Sequence, residues 1–359
     1  MKQYVKGILT GVITTLLVGG LIITAFAVRF DQPATLYYND IGVILDGELL
    51  ELRDVLGRKV EPFLLDGTTY LPVRAIGEAL DMEVSWNAST STVILDSYSA
   101  QLKTVTVSTA KEFIDAIAPN TEIILSPGVY NISDCEGYAP SKYVRWDKYL
   151  YEGSPLCITG VKNLTIRGSG DDTQLVSSFR DYDAISFSNC QNLTVESLLV
   201  QHIPGEGGLG NTIRVDFSKN VIFKDVTIHG SHTGLFLYVV RQMTVTGLDV
   251  YDCDGVGVLV DDGAYIEFSD CTFRDMTAAG ALAISKTDFL TVSDCLFSSV
   301  IVPSSASTER PLIYLADHYA ISFLRNEFIN NRAEALLPAQ PGDVTFTDCT
   351  FKGNNFPAP

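Results

Sequence analysis

Eight similar phrases recur along the second half of the chain and constrain its fold more than any other feature. Each phrase begins with alternating apolar residues, breaks at a turn-forming residue and then resumes the alternation. The first apolar residues stand at positions 164, 193, 221, 243, 266, 290, 321 and 344, so the spacing is 22 to 31 residues. Strand-like phrases at such a spacing are typical of repeat architectures, in which each repeat packs on its neighbours.

Each repeat divides into three short strands. In Val221–Ile228 two apolar pairs flank Lys224 and Asp225, which predicts two strands that meet at a tight bend. The residues at this bend are mostly turn formers: Gly168, Ser197, Asp225, Gly247, Asp270, Asp294, Arg325 and Asp348. A third strand follows, for example Thr212–Phe217 and Gly234–Val239. Three parallel strands per turn predict a mostly β fold, a parallel β-helix; a β-propeller, the alternative, needs repeats of about 40 residues or more.

The segment before these repeats has the form of a helix, a strand and a Pro-Gly turn. Thr109-Ala-Lys-Glu112 predicts a capping box at the start of a helix that continues through Ile117, and Thr121–Tyr130 follows as strand, turn and strand. This opening resembles the start of right-handed parallel β-helix proteins of the pectate-lyase-like superfamily. The resemblance implies a right-handed, single-stranded β-helix over residues 101–359.

Residues 36–98 are predicted to form a separate small α+β unit. The phrase Phe63–Trp86 resembles the copper amine oxidase N-terminal-like (stalk) domain, which implies a spacer or adhesion module of exported bacterial proteins rather than an oxidase. Copper chemistry would need a histidine cluster, and this unit contains no histidine. We therefore expect neither copper nor amine oxidase activity. We expect Arg74 to pair with Glu78 and Trp86 to lie in the small core.

The N-terminal residues 1–30 predict export. Lys2 and Lys6 precede an uncharged run at residues 7–28, which is long enough to cross a membrane as a helix. Basic residues before such a run place the bulk of the chain outside the cell. Ala25-Phe26-Ala27 is typical of a cleavage site, so secretion after cleavage near Ala27 is the alternative to a membrane anchor.

The charge of the chain restricts its partners. With 25 basic and 43 acidic residues the formal net charge is −18, which repels phosphate backbones and argues against nucleic acid. The partner expected from the resemblances is a cell-wall or extracellular polysaccharide. The acidic balance is compatible with Ca²⁺ without requiring it, and no other cofactor is implied.

The residues that follow the bend should face the interior of the β-helix. They are Leu198, Val226, Leu248, Cys271, Cys295, Asn326 and Cys349. Adjacent coils lie about 4.8 Å apart, so a Cys271–Cys295 disulfide is not excluded by distance, but we favour free buried thiols. We expect Asn326 to bond a backbone neighbour.

Alternation on the third strands predicts a substrate-binding surface. Ile213, Val215 and Phe217 are expected to point inward. Arg214, Asp216, Phe236 and Tyr238 are then expected to point outward on adjacent coils. Aromatic rings stack on the apolar faces of sugars while charged groups bond hydroxyls or carboxylates, so these four residues are the candidates for glycan binding.

The connection between the second and third strands varies in length and carries further polar residues: His202, Glu206, His229, His232, Asp252 and Asp254. We interpret the histidines as loop residues rather than as an acid–base or metal pair. Asp252-Cys-Asp254 is a candidate Ca²⁺ segment by resemblance to lyases of this superfamily, in which an arginine acts as base; Arg241 and Arg274 are near in sequence.

Asp261 and Asp262 resemble the paired carboxylates of polygalacturonase-like glycoside hydrolases. The Asn-Thr-Asp run and the Arg-x-Lys strand of those enzymes are missing here. The catalytic candidates are therefore Asp252, Asp254, Asp261, Asp262 and Arg241, without a complete catalytic set.

Three functions remain open from the sequence. The first is a membrane-tethered cell-surface protein whose β-helix binds a glycan. The second is a polysaccharide lyase or glycoside hydrolase. The third is a structural or assembly protein, because only Lys352–Pro359 follow the last repeat and the C-terminal coil could seat on another chain.

Overall fold

The computed structural model describes residues 35–45, 48–53, 58–80, 82–97, 102–147, 153–203, 208–230, 232–304 and 310–359. It divides into two compact units, one within residues 1–97 and one within residues 98–359. The predicted anchor or signal peptide at residues 1–30 lies outside the described residues. Among the residues described, no helix is both long and apolar enough to cross a membrane.

In its described residues, the first unit contains short antiparallel hairpins and the helix α1 (Val73–Ala79). Its strands are β1 (Ile44–Leu45), β2 (Glu48–Leu49), β3 (Phe63–Leu65), β4 (Thr68–Tyr70), β5 (Met82–Asn87) and β6 (Thr92–Ser97). Consecutive strands pair as β1–β2, β3–β4 and β5–β6.

Of the two expectations for this unit, one is confirmed and the other is wrong. Arg74 does pair with Glu78 at 3.6 Å, and its guanidinium also donates to the carbonyl of Val84 at 2.7 Å. The prediction for Trp86 is wrong, because its side chain is 57% exposed. The short helix packs on Val84, whose Cγ2 lies 2.5 Å from where a Cβ on Gly77 would be. Trp86, two residues further along β5, stays at the surface.

The second unit is a parallel β-helix with three faces. Three long strands turn the bend and contribute to two faces: β12 (Lys162–Ser177), β14 (Gln191–His202) and β16 (Lys219–His229). Their first halves join the first face, with β8 (Thr121–Leu125), β18 (Arg241–Thr246), β21 (Ala264–Ser269), β24 (Asp288–Ser293), β27 (Tyr319–Leu324) and β29 (Val344–Thr347). β7 (Lys103–Val107) pairs in parallel with β8.

The second halves of the same long strands join the second face, with β9 (Gly128–Asn131), β19 (Asp249–Tyr251), β22 (Thr272–Thr277), β25 (Leu296–Ile301), β28 (Glu327–Ile329) and β30 (Thr350–Lys352). The third face contains β10 (Val144–Trp146), β11 (Leu156–Thr159), β13 (Ile185–Ser188), β15 (Asn211–Asp216), β17 (Thr233–Tyr238), β20 (Val256–Asp261), β23 (Gly280–Ser285) and β26 (Ile313–Ala316). β10 is antiparallel to β11, and the other neighbours on this face are parallel.

The bend between the first and second faces is a single left-handed residue. Its φ lies between 51° and 66° at Ser197, Asp225, Gly247, Asp270, Asp294, Arg325 and Asp348, as the column of turn formers predicts. Gly168 differs, because the register of β12 shifts there. A Cβ on Gly168 would lie 2.4 Å from the carbonyl oxygen of Ser197, so only glycine fits.

The interior is filled by columns of like side chains. On the second face the rings of Phe273, Phe297, Phe328 and Phe351 stack with centroids 4.5, 4.7 and 4.8 Å apart. Burying one such ring contributes about 1.5–3 kcal/mol. Helix α2 (Ala110–Ala116) adds Phe113 and Ile114 to this core. Its capping interactions are formed: Thr109 Oγ1 accepts from the N–H of Glu112, whose carboxylate accepts from the N–H of Ser108.

The column after the bend faces inward as predicted. Cys271 and Cys295 are buried, and no disulfide joins them. Asn326 is fully buried; its Oδ1 accepts from the N–H of Cys295 at 2.9 Å and its Nδ2 donates to the carbonyl of Val292 at 2.8 Å. The amide thus satisfies two backbone groups of the preceding coil, which confirms the expected role of Asn326.

Candidate functional site

The outward side of the third face carries a cluster of rings and charges, the third-face platform: Arg214, Asp216, Phe217, Phe236 and Tyr238. Strand pairing sets Arg214 beside Phe236 and Asp216 beside Tyr238. The Arg214 guanidinium lies 4.9 Å from the Phe236 ring centroid and donates to both oxygens of Asp216 at 2.8 and 2.9 Å. The Phe236 and Tyr238 centroids are 6.3 Å apart. The four predicted binding residues therefore lie together.

Phe217 enlarges this platform against expectation. The alternation predicts an inward side chain, but that prediction is wrong: Phe217 is 52% exposed. Its backbone is left-handed, with φ 47°, and ends the strand. The ring instead meets Tyr238 edge-on, with centroids 5.3 Å apart. Phe236 and Tyr238 are half-buried, so the platform combines one open ring with two partly covered ones.

Two carboxyl groups at the platform, those of Asp183 and Asp216, have raised pKa values. Asn211 Nδ2 donates to Asp183 Oδ1 at 2.6 Å, and burial raises the pKa of Asp183 to about 6. Burial also raises the pKa of Asp216, against the opposing effect of Arg214. Sequence reasoning missed Asp183. No sequence motif marks this residue. Only the alignment of Asp183 with Asn211 on the next coil could have indicated it.

The adjacent carboxylates of Asp261 and Asp262 have different basic partners. Asp261 lies on the third face beside Tyr238, and Lys286 Nζ is 3.6 Å from its carboxylate. Asp262 occupies a left-handed bend with φ 59° and accepts from Arg241 at 2.6 Å. Arg241 is thereby held by Asp262, which leaves this pair of residues in a structural ion pair.

In the connection of varying length between the second and third strands, here called the variable edge, two histidines bond two carboxylates. His229 Nε2 lies 3.2 Å from Asp252 Oδ2, and His232 Nδ1 lies 2.9 Å from Asp254 Oδ1. These are two separate pairs rather than one cluster. Glu206 lies outside the described residues.

His202 lies apart from these pairs and is buried. Its Nε2 is 3.1 Å from the carbonyl oxygen of Asn211, and burial lowers its pKa. Burial thus favours the neutral ring, whose Nε2–H can donate to that carbonyl, which agrees with a structural role.

The carboxylates of Asp216, Asp252, Asp254 and Asp261 do not share one groove. Each has a different basic partner. Within the described ranges, no group of three or more His, Cys, Asp or Glu side chains is placed to hold a metal ion. Cys253 between the two loop aspartates is buried. The carboxylates of Asp252 and Asp254 thus have separate histidine partners, His229 and His232.

A polar row on the second face escaped the sequence reasoning. Gln201, His229, Tyr251 and Arg274 lie side by side on consecutive coils. His229 Nδ1 is 2.9 Å from Gln201 Oε1, and its ring stacks on Tyr251 at 4.7 Å. Arg274 covers Tyr251 and donates to Asp249 at 2.8 and 2.9 Å. Only the strand register could have aligned residues so far apart in sequence.

Two family models match the chain. Residues 152–302 match the right handed beta helix region, and residues 53–125 match the copper amine oxidase N-terminal domain. Both resemblances drawn from the sequence are confirmed. A comparison with curated proteins gives no match.

Several solved structures are similar in fold. ORF18 of Geobacillus virus E2 is 15% identical with a TM-score of 0.47; the match covers 77% of this chain and 48% of that one, so the chain spans about half its length. PfbA, a surface adhesin of Streptococcus pneumoniae, is 11% identical with a TM-score of 0.41 and 74% of each chain covered. Pectate lyase Pel9A is 13% identical with a TM-score of 0.40, covering 73% of this chain and 80% of that one.

Proposed function

Because the chain joins a right-handed β-helix region to a copper amine oxidase N-terminal domain, we propose that it is an exported cell-surface protein whose β-helix binds a polymeric glycan. The N-terminal hydrophobic run supports a membrane anchor at residues 7–28, with the bulk of the chain outside the cell. The small N-terminal unit would act as a spacer.

The observation that carries this proposal is the third-face platform. Phe217, Phe236 and Tyr238 supply three rings within about two coils, and rings of this kind stack on the apolar faces of sugars. Arg214 and Asp216 supply a donor and an acceptor beside them. Strands that repeat along the β-helix axis give the platform the linear form that a polymer needs.

The binding test measures retention of the full chain, kept in detergent, on insoluble cell-wall and extracellular polysaccharides. We expect Phe236→Ala with Tyr238→Ala to lower retention roughly tenfold, since aromatic contacts contribute about 0.5–1.5 kcal/mol each. Trp86→Ala removes an exposed aromatic from the other unit and should leave retention unchanged. Unchanged retention in the double variant would refute the platform as the binding surface.

The second candidate function is that of a polysaccharide lyase or glycoside hydrolase. It is favoured by one observation: the buried carboxyl of Asp183, with its pKa raised to about 6, adjoins the platform. A general acid needs a pKa near the working pH. A reducing-sugar assay and an assay for unsaturated products, with and without Ca²⁺, separate the two functions.

Loss of turnover in Asp183→Asn or Asp216→Asn would support this enzymatic function at the platform. Turnover that is lost in Asp252→Ala or Asp254→Ala would instead place the chemistry at the variable edge. Binding without turnover in the wild type supports the cell-surface role.

A further inference from the structure

A column of left-handed residues marks the bend at which each coil enters the first face. Its φ values lie between 53° and 59° at Asn120, Asn163, Asn192, Asn220, Gln242, Tyr265, Phe289 and Ala320. The first four form an amide ladder, in which each Nδ2 donates to the Oδ1 of the preceding asparagine at 2.7–3.0 Å. The side chains in this column therefore project from the edge of the first face.

The amide ladder stops at Asn220 and a ring stack begins at Tyr265. Among the described residues no donor reaches Oδ1 of Asn220, and the side-chain amide of Gln242 makes no hydrogen bond. Tyr265 stacks on Phe289 with centroids 5.0 Å apart and planes 6° from parallel. Between ladder and stack there are thus unused amide groups and an aromatic ring that is 55% exposed.

A groove of about 460 Å³ lies at this junction. One side is formed by Asn220, Gln242 and Tyr265, and the other by outward residues of the first face, including Ile222 and Glu267. It crosses four consecutive coils, β14, β16, β18 and β21, so its length is about 14 Å. The groove therefore runs along the axis of the β-helix, a direction that suits an extended chain.

The groups that line the groove are of the kinds that carbohydrate sites use. An exposed tyrosine ring and the 46% exposed side chain of Ile222 offer apolar contacts. Amide groups and the hydroxyl of Thr244 offer hydrogen bonds to sugar hydroxyls.

Glu267 adds a charge that selects among glycans. It is exposed and has no ion-pair partner within the part of the chain that the structure describes. The chain also carries a net charge of −18. An anionic glycan would be repelled, whereas an ammonium group would be attracted.

We propose that this groove is a second carbohydrate site, which binds a glycan segment with free amino groups. Tyr265 stacks on a sugar ring, Gln242 and Asn220 bond its hydroxyls, and Glu267 accepts from the ammonium group. The site lies on a different face from the platform of Phe236 and Tyr238. An experiment on one site therefore does not decide whether the other binds glycan.

Calorimetric titration of the full chain with a short glucosamine oligosaccharide tests this site, with the N-acetylated oligosaccharide of equal length as the comparison. We expect the amino form to bind the wild type. Glu267→Gln should weaken that binding up to roughly fivefold, because a solvent-exposed charge pair contributes up to about 1 kcal/mol. Tyr265→Ala should weaken it up to roughly tenfold.

Tyr314→Ala is the matched control, since it removes an exposed tyrosine of another face, and it should leave the affinity unchanged. The proposal is overturned if the wild type does not bind the amino form, if both oligosaccharides bind equally, or if Glu267→Gln has no effect.

Discussion

The guanidinium carbon of Arg274 lies 4.0 Å from the centroid of the Tyr251 ring on the preceding coil. The same guanidinium donates to both carboxylate oxygens of Asp249. One side chain therefore ties two strands of the second face by a cation–π contact and a two-pronged ion pair. Because Tyr251 also stacks on His229, this contact links three coils through side chains alone.

Replacing Arg274 should destabilise the β-helix more than replacing a simple surface cation. We expect Arg274→Ala to lower the free energy of unfolding by about 1–2 kcal/mol, the sum of the cation–π contact and a half-exposed ion pair. Urea unfolding measures the loss. Arg325→Ala is the control, since Arg325 bonds both oxygens of Asp294 without covering a ring. Equal losses in the two variants would contradict a contribution from Tyr251.

The raised pKa of Asp183 predicts a pH dependence of stability. An aspartate in the unfolded chain has a pKa of about 3.9, whereas burial raises the pKa of Asp183 to about 6. The folded state therefore holds the proton more tightly, and the stability that this gives is present below pH 4 and lost as the pH rises through 6. The loss is on the order of 2–3 kcal/mol.

Asp183→Asn should remove this dependence, as seen in urea unfolding between pH 4 and pH 7. Asp294→Asn provides the opposite case, because Arg325 lowers the pKa of Asp294 and its stabilisation is lost on acidification. A variant at Asp183 with the same pH profile as the wild type would show that its carboxyl is not buried.

The buried amide of Asn326 should be costly to remove. Asn326→Ala leaves the N–H of Cys295 and the carbonyl of Val292 without partners. We expect a loss of about 2–4 kcal/mol in the free energy of unfolding. Ser322→Ala, which removes an outward hydroxyl bonded to Thr291, should cost less than about 1 kcal/mol. A loss of that small size at Asn326 would contradict its role.

Thiol reactivity should follow burial. Cys135 and Cys349 are partly exposed, whereas the other five cysteines are buried, and burial raises the pKa of Cys190 to about 12. We expect a maleimide to label the two partly exposed thiols in the folded chain and all seven only after unfolding, as measured by mass spectrometry. Rapid labelling of Cys271 in the folded state would contradict the inward column.

Much of the fold could be predicted because its determinants are local. Alternation identifies the strands, and Asp270 or Asp348 marks a bend because aspartate tolerates a left-handed backbone. The predictions for Phe217 and Trp86 are wrong because alternation shows neither where a strand ends nor how far a covering helix reaches. An aromatic residue at φ 47° is uncommon.

The candidate site was predictable only where it follows from strand register. Arg214 and Phe236 were placed together because both lie at matching positions of adjacent third strands. The contact of His229 with Gln201 joins residues 28 positions apart, and the burial of Asp183 depends on the loops around it. Neither leaves a pattern in the local sequence.

At each bend the shape of the coil depends on one left-handed residue, and the side chain of that residue differs from coil to coil. Serine, aspartate, glycine and arginine all hold the same left-handed torsion there, so the coil closes with a small, an acidic or a basic residue at the bend. The bend residues are thus spaced evenly along the axis of the β-helix, one on each coil. The charge at this bend therefore changes sign between one coil and the next, at Asp294 and Arg325, while the backbone torsion stays the same.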